Sequence, residues 1–463
     1  MTETSKISHI EIVNNPDVLE FLNNCSYMHE PTGEELQEVI NSFVSAETFS
    51  ENLLPDNLIT IDSSSNESNV RNDIPYTNVG YVKLVNTLLK NNELLTLQKS
   101  RFINPFDMAM LLNEKESISF VLPSSNIKYK TCETTKESFR EAIDDYFENI
   151  REEQTDRSTS LKETLFWLAS YRNKSEKDVI VLHKCPNDGC EKESIVVFNI
   201  EEPQFCPHCG KKIFATDILR LYEEIDESAP SNQSALSRFE KAIRHIYLAH
   251  MLRIIKEKNK NSYLKVFNEI AFIVNGPLAI MGTAAWIHSS MMKIINEINV
   301  ELRVKGYNDI MIIGIIKEGQ SIHSFAQMIN RHLPNNVFIC VNDEFRDKYI
   351  NFNRQASSTT FGAETYYGQD FIWKTSQGNI VIFNIPYHVK DKTDKETFKI
   401  EKSNYENYNN LERVMSLLKE LKSDTEGSSI TPLVISRQYT AISMEPGAKV
   451  LELLSKNNII SKG

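Results

Sequence analysis

The sequence has no uncharged apolar run close to the roughly 18 residues that a membrane span requires. Its first six residues also lack the basic and then apolar segments of a signal peptide. We therefore expect a cytoplasmic protein that does not enter a membrane. There is no internal repeat, and the 463 residues, 41% of them hydrophobic, are sufficient for at least one large folded core.

Positive charge is also scarce, since 51 Lys and Arg stand against 63 Asp and Glu and the formal net charge is -12. A protein that coats DNA irrespective of sequence neutralises many phosphates with Lys and Arg on its surface. This composition argues against that class of protein. A local basic groove or a basic partner would still permit a function on nucleic acid.

Cysteine is sparse, but four of the seven cysteines fall within 25 residues. Such clustering in a cytoplasmic protein indicates metal thiolates more than disulfides. Two short knuckles about fifteen residues apart match tetrahedral zinc, and the Cys-Pro-x-Cys-Gly turn points amides at sulfur. We predict a structural zinc site formed by Cys185, Cys190, Cys206 and Cys209. His183 and His208 flank the knuckles and are alternative ligands, although we favour an interpretation as histidines of surface loops. Cys25, Cys132 and Cys340 are interpreted as small buried side chains.

Hydrophobic periodicity predicts an α/β fold in which a mixed or parallel sheet is covered by helices. We predict strands at 58–62, 79–85, 117–123, 310–316, 337–341, 372–374, 379–386 and 433–442, and one that ends at Asn275. We predict helices at 137–153, 160–172, 234–258, 284–304, 321–332, 404–423 and 447–457. Residues 62–72, rich in Ser and Asn, are predicted to form a loop.

The chain divides into four segments on this pattern. They are an N-terminal helical segment at 1–54, a first part of the main domain at 55–177, a zinc ribbon at 178–215 and a second part at 216–463. Because the ribbon interrupts the main domain, we interpret it as an insertion that braces the core or contacts a partner.

Two apolar runs each end in a polar residue beside a turn of small residues. The first delivers Asp62 and the second delivers Asn275, which is followed by Gly276 and Pro277. Metal-dependent nucleases of the ribonuclease-H type bring acidic ligands together from two strand ends in this way. The second position is an amide here, not a carboxylate.

Several stretches of the chain resemble the NurA nuclease family, particularly bacterial members that carry a zinc ribbon. The resemblance extends from about Leu58 to the end of the chain. It rests on residues 61–63, 79–82, the cysteine ribbon at 185–209, and residues 216–220, 231–236, 276–279 and 364–370.

This resemblance implies a ribonuclease-H-like mixed sheet with an inserted zinc ribbon. It also implies a DNA nuclease, an exonuclease or single-strand endonuclease, that uses Mn or Mg. Family members typically form homodimers and dock on a HerA-type hexameric ATPase that pumps DNA. Such pairs act in DNA end processing, as in DNA repair, or in antiviral defence against foreign DNA.

The resemblance also suggests catalytic residues. Asp62 matches the first metal ligand of the family, and Asn275 stands where the family has a second aspartate, although an amide binds hard cations more weakly than a carboxylate. Glu240 is the nearest candidate for a helical glutamate, with Glu269 as the alternative. Arg437 stands where the family has a histidine on the last strand. Arginine stays protonated and cannot act as a base, but it can hold a phosphate.

Five further residues are candidates. Lys317 would contact the scissile phosphate and Asp343 would be an additional metal ligand, although both also fit as polar residues that end strands. Asp370 and Tyr387 lie in stretches that resemble the family. Trp286 either stacks on a base or, as we favour, anchors the start of an amphipathic helix.

Three interpretations of the site remain open at this point. The first is an active nuclease, in which Glu240, Glu269 or Asp343 lies within coordinating reach of Asp62 and compensates for Asn275. The second is a nuclease-dead scaffold that binds DNA or regulates the ATPase, which Asn275 and Arg437 favour. The third is that Asn275 is an engineered replacement of an aspartate, in which case the nuclease hypothesis is stronger.

Overall fold

The computed structural model describes residues 15–25, 31–46, 54–71, 73–98, 115–173, 178–317, 320–351, 360–422, 430–441 and 451. Within these ranges the chain forms a nine-stranded mixed sheet with helices against both faces, which confirms the predicted α/β class with a mixed sheet. None of the helices in this part of the chain is long and apolar enough to cross a membrane.

The strands of the large sheet lie in the order β1-β11-β12-β13-β10-β9-β2-β3-β4, and two small hairpins, β5-β6 and β7-β8, make up the cysteine ribbon. Strands β2, β9 and β10 are parallel to one another, and the remaining neighbours in the large sheet are antiparallel. The strands are β1 (Val44–Ser45), β2 (Asn57–Arg71), β3 (Thr77–Lys90), β4 (Lys115–Ser125), β5 (Val179–Lys184), β6 (Glu193–Phe198), β7 (Gln204–Phe205), β8 (Lys212–Ile213), β9 (Ile270–Asn275), β10 (Met311–Ile315), β11 (Val337–Cys340), β12 (Gly368–Lys374) and β13 (Ile380–Pro386).

Helices connect and cover these strands. The α-helices are α1 (Pro16–Asn23), α2 (Gly33–Asn41), α3 (Asn91–Gln98), α4 (Thr135–Asn149), α5 (Leu161–Asn173), α6 (Gln233–Lys258), α7 (Tyr263–Glu269), α8 (Ile287–Val304), α9 (Ser321–Ile329), α10 (Lys395–Glu401), α11 (Leu411–Glu420) and α12 (Thr431–Thr440). Shorter helical turns are Arg157–Thr159, Ala215–Leu219, Leu221–Glu224, Gly282–Ala284, Asn330–His332, Asp343–Phe345, Arg346–Ile350 and Tyr405–Asn407.

The centre of the sheet is apolar on both sides because helices cover both faces. All residues of β10 and the first five of β9 are buried, as expected of parallel strands that carry helices on each face. Helices α4, α5, α6 and α8 pack in the main core on one face. Helices α11 and α12 pack on the other face, and α9 covers a third cluster near β11 and β12.

The predicted loop at 62–72 is wrong, because strand β2 continues through this polar stretch to Arg71 and pairs with β3. Asp62 therefore lies within a strand and not at its end. The polar side chains are accommodated because they find hydrogen-bond partners on two helices. Ser65 accepts a hydrogen bond from Gln233 at 3.2 Å, and the Ser64 hydroxyl donates to the Thr440 carbonyl.

The predicted strand at 433–442 is also wrong, because residues 431–440 form helix α12. The β-branched residues in this segment suggested a strand, but propensity is weaker than tertiary packing. Pro432 occupies the first turn, where its missing amide has no cost. Leu433, Ser436 and Thr440 are buried at helical spacing. The helix predicted at 447–457 lies outside the described residues, apart from residue 451.

His245 provides a test of the packing of α6. Its Nδ1 lies 2.6 Å from the Tyr367 hydroxyl, and burial lowers the pKa of His245 to about 3. The folded protein therefore keeps the ring neutral in weak acid, whereas the unfolded chain takes up a proton below about pH 6.5. Because acid favours the form that binds more protons, this residue lowers the free energy of unfolding as the pH falls from about 6.5 to 3.

We expect the substitution His245→Gln to reduce the steepness of this fall by up to about 1.4 kcal/mol per pH unit, since glutamine does not titrate. Urea unfolding of both proteins between pH 7.5 and 4 measures the difference. Parallel pH profiles for the two proteins would contradict the assignment.

Candidate functional site

Asp62 and Asn275 meet at the parallel contact between β2 and β9. The pairing of Ile61 with Val274 places them one step further along their strands. The Asn275 side-chain amide donates a hydrogen bond of 2.6 Å to Oδ1 of Asp62, across 213 positions of sequence. Asp62 is only 1% exposed. The structure thus brings together the two residues that the sequence places at the centre of the site.

The Asp62 carboxylate has protein donors on both oxygens. Oδ1 also accepts from the backbone amide of Ser63 at 2.8 Å, and Oδ2 accepts from the Thr440 hydroxyl at 2.9 Å. Thr440 comes from the end of α12, which covers this face of the sheet. A buried carboxylate needs such donors to remain in place. A cation at Asp62 would have to displace Thr440 or reorient Asn275.

Glu240 reaches the same strand from the opposite face. Successive residues of a strand point to opposite faces, so Ser63 faces α6 while Asp62 faces α12. The Ser63 hydroxyl donates to the Glu240 carboxylate. Glu240 is thus held at the residue next to Asp62, with the sheet backbone between the two side chains.

Arg244 links these residues into one network. Its Nε donates to the Ser63 hydroxyl at 2.8 Å, and its other nitrogens donate to the Glu240 carboxylate and to the Asn275 carbonyl. The Arg244 and Glu240 side chains are only 12% and 9% exposed. A buried guanidinium with these three acceptors fixes α6 against both β2 and β9.

Gly276 is required by the position of Arg244. It has a φ of +110°, and a Cβ at this position would lie 2.9 Å from the Arg244 guanidinium. Any side chain would therefore be strained in its backbone and would press on a buried cation. The Gly-Pro turn after Asn275 leaves room for the network.

Lys317 lies at the same edge of the sheet as Asn275. It follows β10 by two residues, and Ile315 of β10 is in register with Asn275. Arg437, by contrast, is exposed on helix α12. The predicted strand does not form, so Arg437 is not the strand residue that the resemblance implied.

Two of the carboxylates expected to compensate for Asn275 lie elsewhere. Asp343 follows β11, which is four positions from β9 and so about 19 Å away, and it pairs with Lys402 at 2.5 Å. Glu269 precedes β9, at the opposite end of that strand from Asn275, and lies 3.7 Å from Lys265. Glu240 is next to β2, but it lies on the opposite face of the sheet from Asp62 and does not complete a carboxylate site there.

The weaker candidates have structural partners. Asp370 is buried and pairs with Arg346 and Asn384, three strand positions from β9. Tyr387 is buried against the ring of Phe398, and burial raises its pKa well above the usual value. Trp286 donates to the Ile218 carbonyl at 3.2 Å immediately before α8, which fits the favoured role as a helix anchor.

The four clustered cysteines form the second candidate site. The sulfurs of Cys185 and Cys209 are 3.8 Å apart, as are those of Cys190 and Cys206, and all four lie within 4.8 Å of one another. Four sulfurs placed tetrahedrally at about 2.3 Å from zinc would be about 3.8 Å apart. The cysteines are free and too distant for disulfides. They could bind a metal such as zinc.

In the described part of the chain, this is the only group of three or more His, Cys, Asp or Glu residues close enough to share a metal ion. A multi-carboxylate centre is therefore not assembled among these residues.

A buried ion pair connects the cysteine cluster to the main core. The Asn187 amide donates to the Cys185 sulfur at 3.4 Å and accepts from Arg140 at 3.0 Å. Arg140 of α4 also makes two hydrogen bonds with Asp217, at 2.7 and 2.8 Å. Partners that orient metal ligands in this way strengthen binding. The ribbon is thereby held rigidly against α4.

No family model matches the chain, and a search of curated proteins finds no match.

The sequence did not predict three residues of the site, Ser63, Arg244 and Thr440. Arg244 carried a signal, because it lies four residues after Glu240 on one helical face. Thr440 carried none, because its segment was predicted as a strand.

We expect Cys206→Ser to reduce bound zinc from about one ion per chain and to lower the melting temperature by several degrees, because a tetrahedral site loses one of its four thiolates. Elemental analysis and thermal unfolding measure the two effects. Cys132→Ser is the matched control and should retain its zinc. Full zinc content in Cys206→Ser would contradict a four-cysteine site.

We expect Asn275→Asp to lower the free energy of unfolding by about 1–3 kcal/mol in chelator, because it sets a second carboxylate against the buried Asp62. Mn²⁺ should restore much of this loss. The double variant Asp62→Asn/Asn275→Asp exchanges the carboxylate and the amide, so it should show little gain with Mn²⁺. Urea unfolding with and without Mn²⁺ distinguishes the variants, and equal Mn²⁺ effects in both would be contrary to expectation.

Proposed function

We propose that this protein is a ribonuclease-H-like, metal-dependent DNA nuclease of the NurA kind. In this proposal it works as a homodimer with a HerA-type hexameric ATPase, in DNA end processing or in defence against foreign DNA. The observation that carries the proposal is the contact between Asp62 and Asn275 on two parallel strands. Residues that the resemblance assigns to one metal site are distant in sequence, and a 2.6 Å hydrogen bond joins them.

The strand arrangement supports the proposed fold. Strands β2, β3 and β4 form an antiparallel meander, and β9 and β10 continue the sheet from β2 in the parallel sense. The long helix α6 lies between β4 and β9 in sequence and packs against the meander. This order places β2 between β3 and β9, where β9 brings Asn275 beside Asp62.

The donor set suits a hard divalent cation. Asp62 and the amide oxygen of Asn275 would supply oxygen ligands, which Mn²⁺ and Mg²⁺ prefer. Glu240, on the opposite face of the sheet, would not share this ion. Such an ion, when bound, activates water and neutralises charge on the leaving oxygen. Lys317 at the same sheet edge would hold a phosphate. Arg244 keeps Glu240 and the Asn275 backbone in place.

The acidic composition fits a nuclease that does not bind DNA tightly without a partner protein. With a net charge of -12, the chain repels a polyanion over much of its surface. A translocating partner would supply part of the grip and feed DNA to the site.

A second candidate function is a scaffold without nuclease activity that binds DNA or regulates the ATPase. The specific observation in its favour is that both carboxylate oxygens of Asp62 already accept hydrogen bonds, which come from Asn275, Ser63 and Thr440. An amide at position 275 and donors on both oxygens suit a structural carboxylate.

Degradation of end-labelled linear DNA in Mn²⁺, by the protein alone and with its candidate ATPase, tests the proposal. We expect Asp62→Ala to lower the cleavage rate by at least about 100-fold, since it removes a direct metal ligand. Glu269→Gln is the matched control, because this carboxylate lies at the far end of β9, and its rate should equal that of the wild type.

Cleavage that Asp62→Ala abolishes supports a working nuclease. Cleavage that begins only in Asn275→Asp supports the scaffold function for the chain with Asn275. Cleavage that survives Asp62→Ala would place the activity elsewhere and contradict the proposed site.

A further inference from the structure

Along most of its length the two-stranded sheet β5-β6 of the ribbon is apolar on both faces. Its inner face packs into the main core through Ile180, Leu182, Ile195 and Val197. Alternation along a surface hairpin would place polar residues on the outer face. Instead Val181 and Val196 are directly paired there and are 37% and 41% exposed, and Phe198 is 51% exposed.

The exposed apolar surface extends beyond the strands. Ile200 is 41% exposed and Phe205 is 54% exposed. The Gln204 side chain makes two hydrogen bonds with the Phe198 backbone, of 2.8 and 2.7 Å, and so joins the segment of Phe205 to the end of β6. We call Val181, Val196, Phe198, Ile200 and Phe205 the ribbon outer face. In the part of the chain that the structure describes, five of the sixteen exposed large apolar residues lie here, within a short segment. Concentration of this kind marks an interaction surface.

An acidic cleft adjoins the ribbon outer face at Ile200. Its volume is about 520 Å³. Three cations and six carboxylates line it, the carboxylates being Glu141, Asp144, Asp145, Glu148, Glu201 and Glu202. The cleft is therefore negative overall and is continuous with an apolar surface.

Most carboxylates inside the cleft form ion pairs, whereas the two at its rim form none among the described residues. Asp144 pairs with Lys162 at 3.0 Å, and Glu141 pairs with Lys212 at 3.1 Å. Glu201 and Glu202 are exposed, and the ion pairs found among the described residues do not include them. These two charges stand next to Ile200 and face solvent.

We propose that the ribbon outer face and the acidic cleft bind a segment of a partner protein that is both basic and apolar. Charge complementarity selects this occupant, because Lys or Arg would meet the rim carboxylates while apolar side chains cover Val196 and Phe198. Nucleic acid is disfavoured because phosphates would face carboxylates. A second copy of this chain is disfavoured by its net charge of -12. Binding here is independent of the proposed nuclease activity.

Synthetic peptides of one length test the proposal in the full-length, zinc-loaded protein. The probe is a fluorescein-labelled peptide of alternating Leu and Lys, and the comparison peptide has alternating Leu and Glu. Fluorescence anisotropy measures each dissociation constant. We expect Val196→Ser/Phe198→Ser to weaken binding of the Leu-Lys peptide by at least about tenfold, because apolar contact is lost. Glu201→Lys/Glu202→Lys should weaken it similarly through charge repulsion.

Two control variants match these changes at other sites. Val300→Ser/Val304→Ser removes exposed valines from α8, and Glu34→Lys/Glu35→Lys reverses two exposed charges on α2. Both should bind the Leu-Lys peptide as the wild type does. Zinc content and melting temperature confirm that the ribbon variants remain folded.

Three results would overturn the proposal. They are failure of the wild-type protein to bind the Leu-Lys peptide, equal affinity for the Leu-Glu peptide, and equal losses in the ribbon and control variants. The same set of outcomes leaves the test of DNA cleavage unaffected, so the two proposals fail separately.

Discussion

The parallel register between β2 and β9 is the constraint on which the candidate site depends. Pairing of Ile61 with Val274 sets Asp62 beside Asn275. Side chains alternate between faces along a strand, so a slip of one residue would turn Asp62 toward α6 and Ser63 toward α12. Both hydrogen-bond networks would then be lost. The alternation along β2 opposes such a slip, because Ile59 and Ile61 pack in the main core while Thr60, between them, contacts Ser436 of α12 on the other face.

Helices from both faces secure this register. On one face Arg244 of α6 donates to the Ser63 hydroxyl and to the Asn275 carbonyl, and so holds β2 and β9 together. On the other face Thr440 of α12 donates to Asp62. The Arg244 guanidinium thus holds the strand pair on one face through the Asn275 backbone, and the Thr440 hydroxyl holds it on the other face through the Asp62 carboxylate. Stability and candidate chemistry therefore share the same residues.

Local patterns predicted much of the fold, and long-range contacts account for the rest. Strands β9 and β10 and helix α6 were predictable because their apolar periodicity is strong, and the cysteine cluster was predictable from spacing alone. The polar half of β2 was not, since its hydroxyls are satisfied by α6 and α12, which are distant in sequence. Thr440 was not predicted for the same reason, and Arg437 lies on the same helix instead of on the predicted strand. Position among strands also separated Asp343 from Asp62, although both follow apolar runs.

The distance in sequence between Asp62 and Thr440, 378 positions, has a consequence for biosynthesis. A ribosome releases β2 before β9, which follows the ribbon and α6, and α12 comes later still. During translation the Asp62 carboxylate stays hydrated, and one edge of β2 stays unpaired, until much later segments arrive. Completion of this site therefore waits for the synthesis of α12.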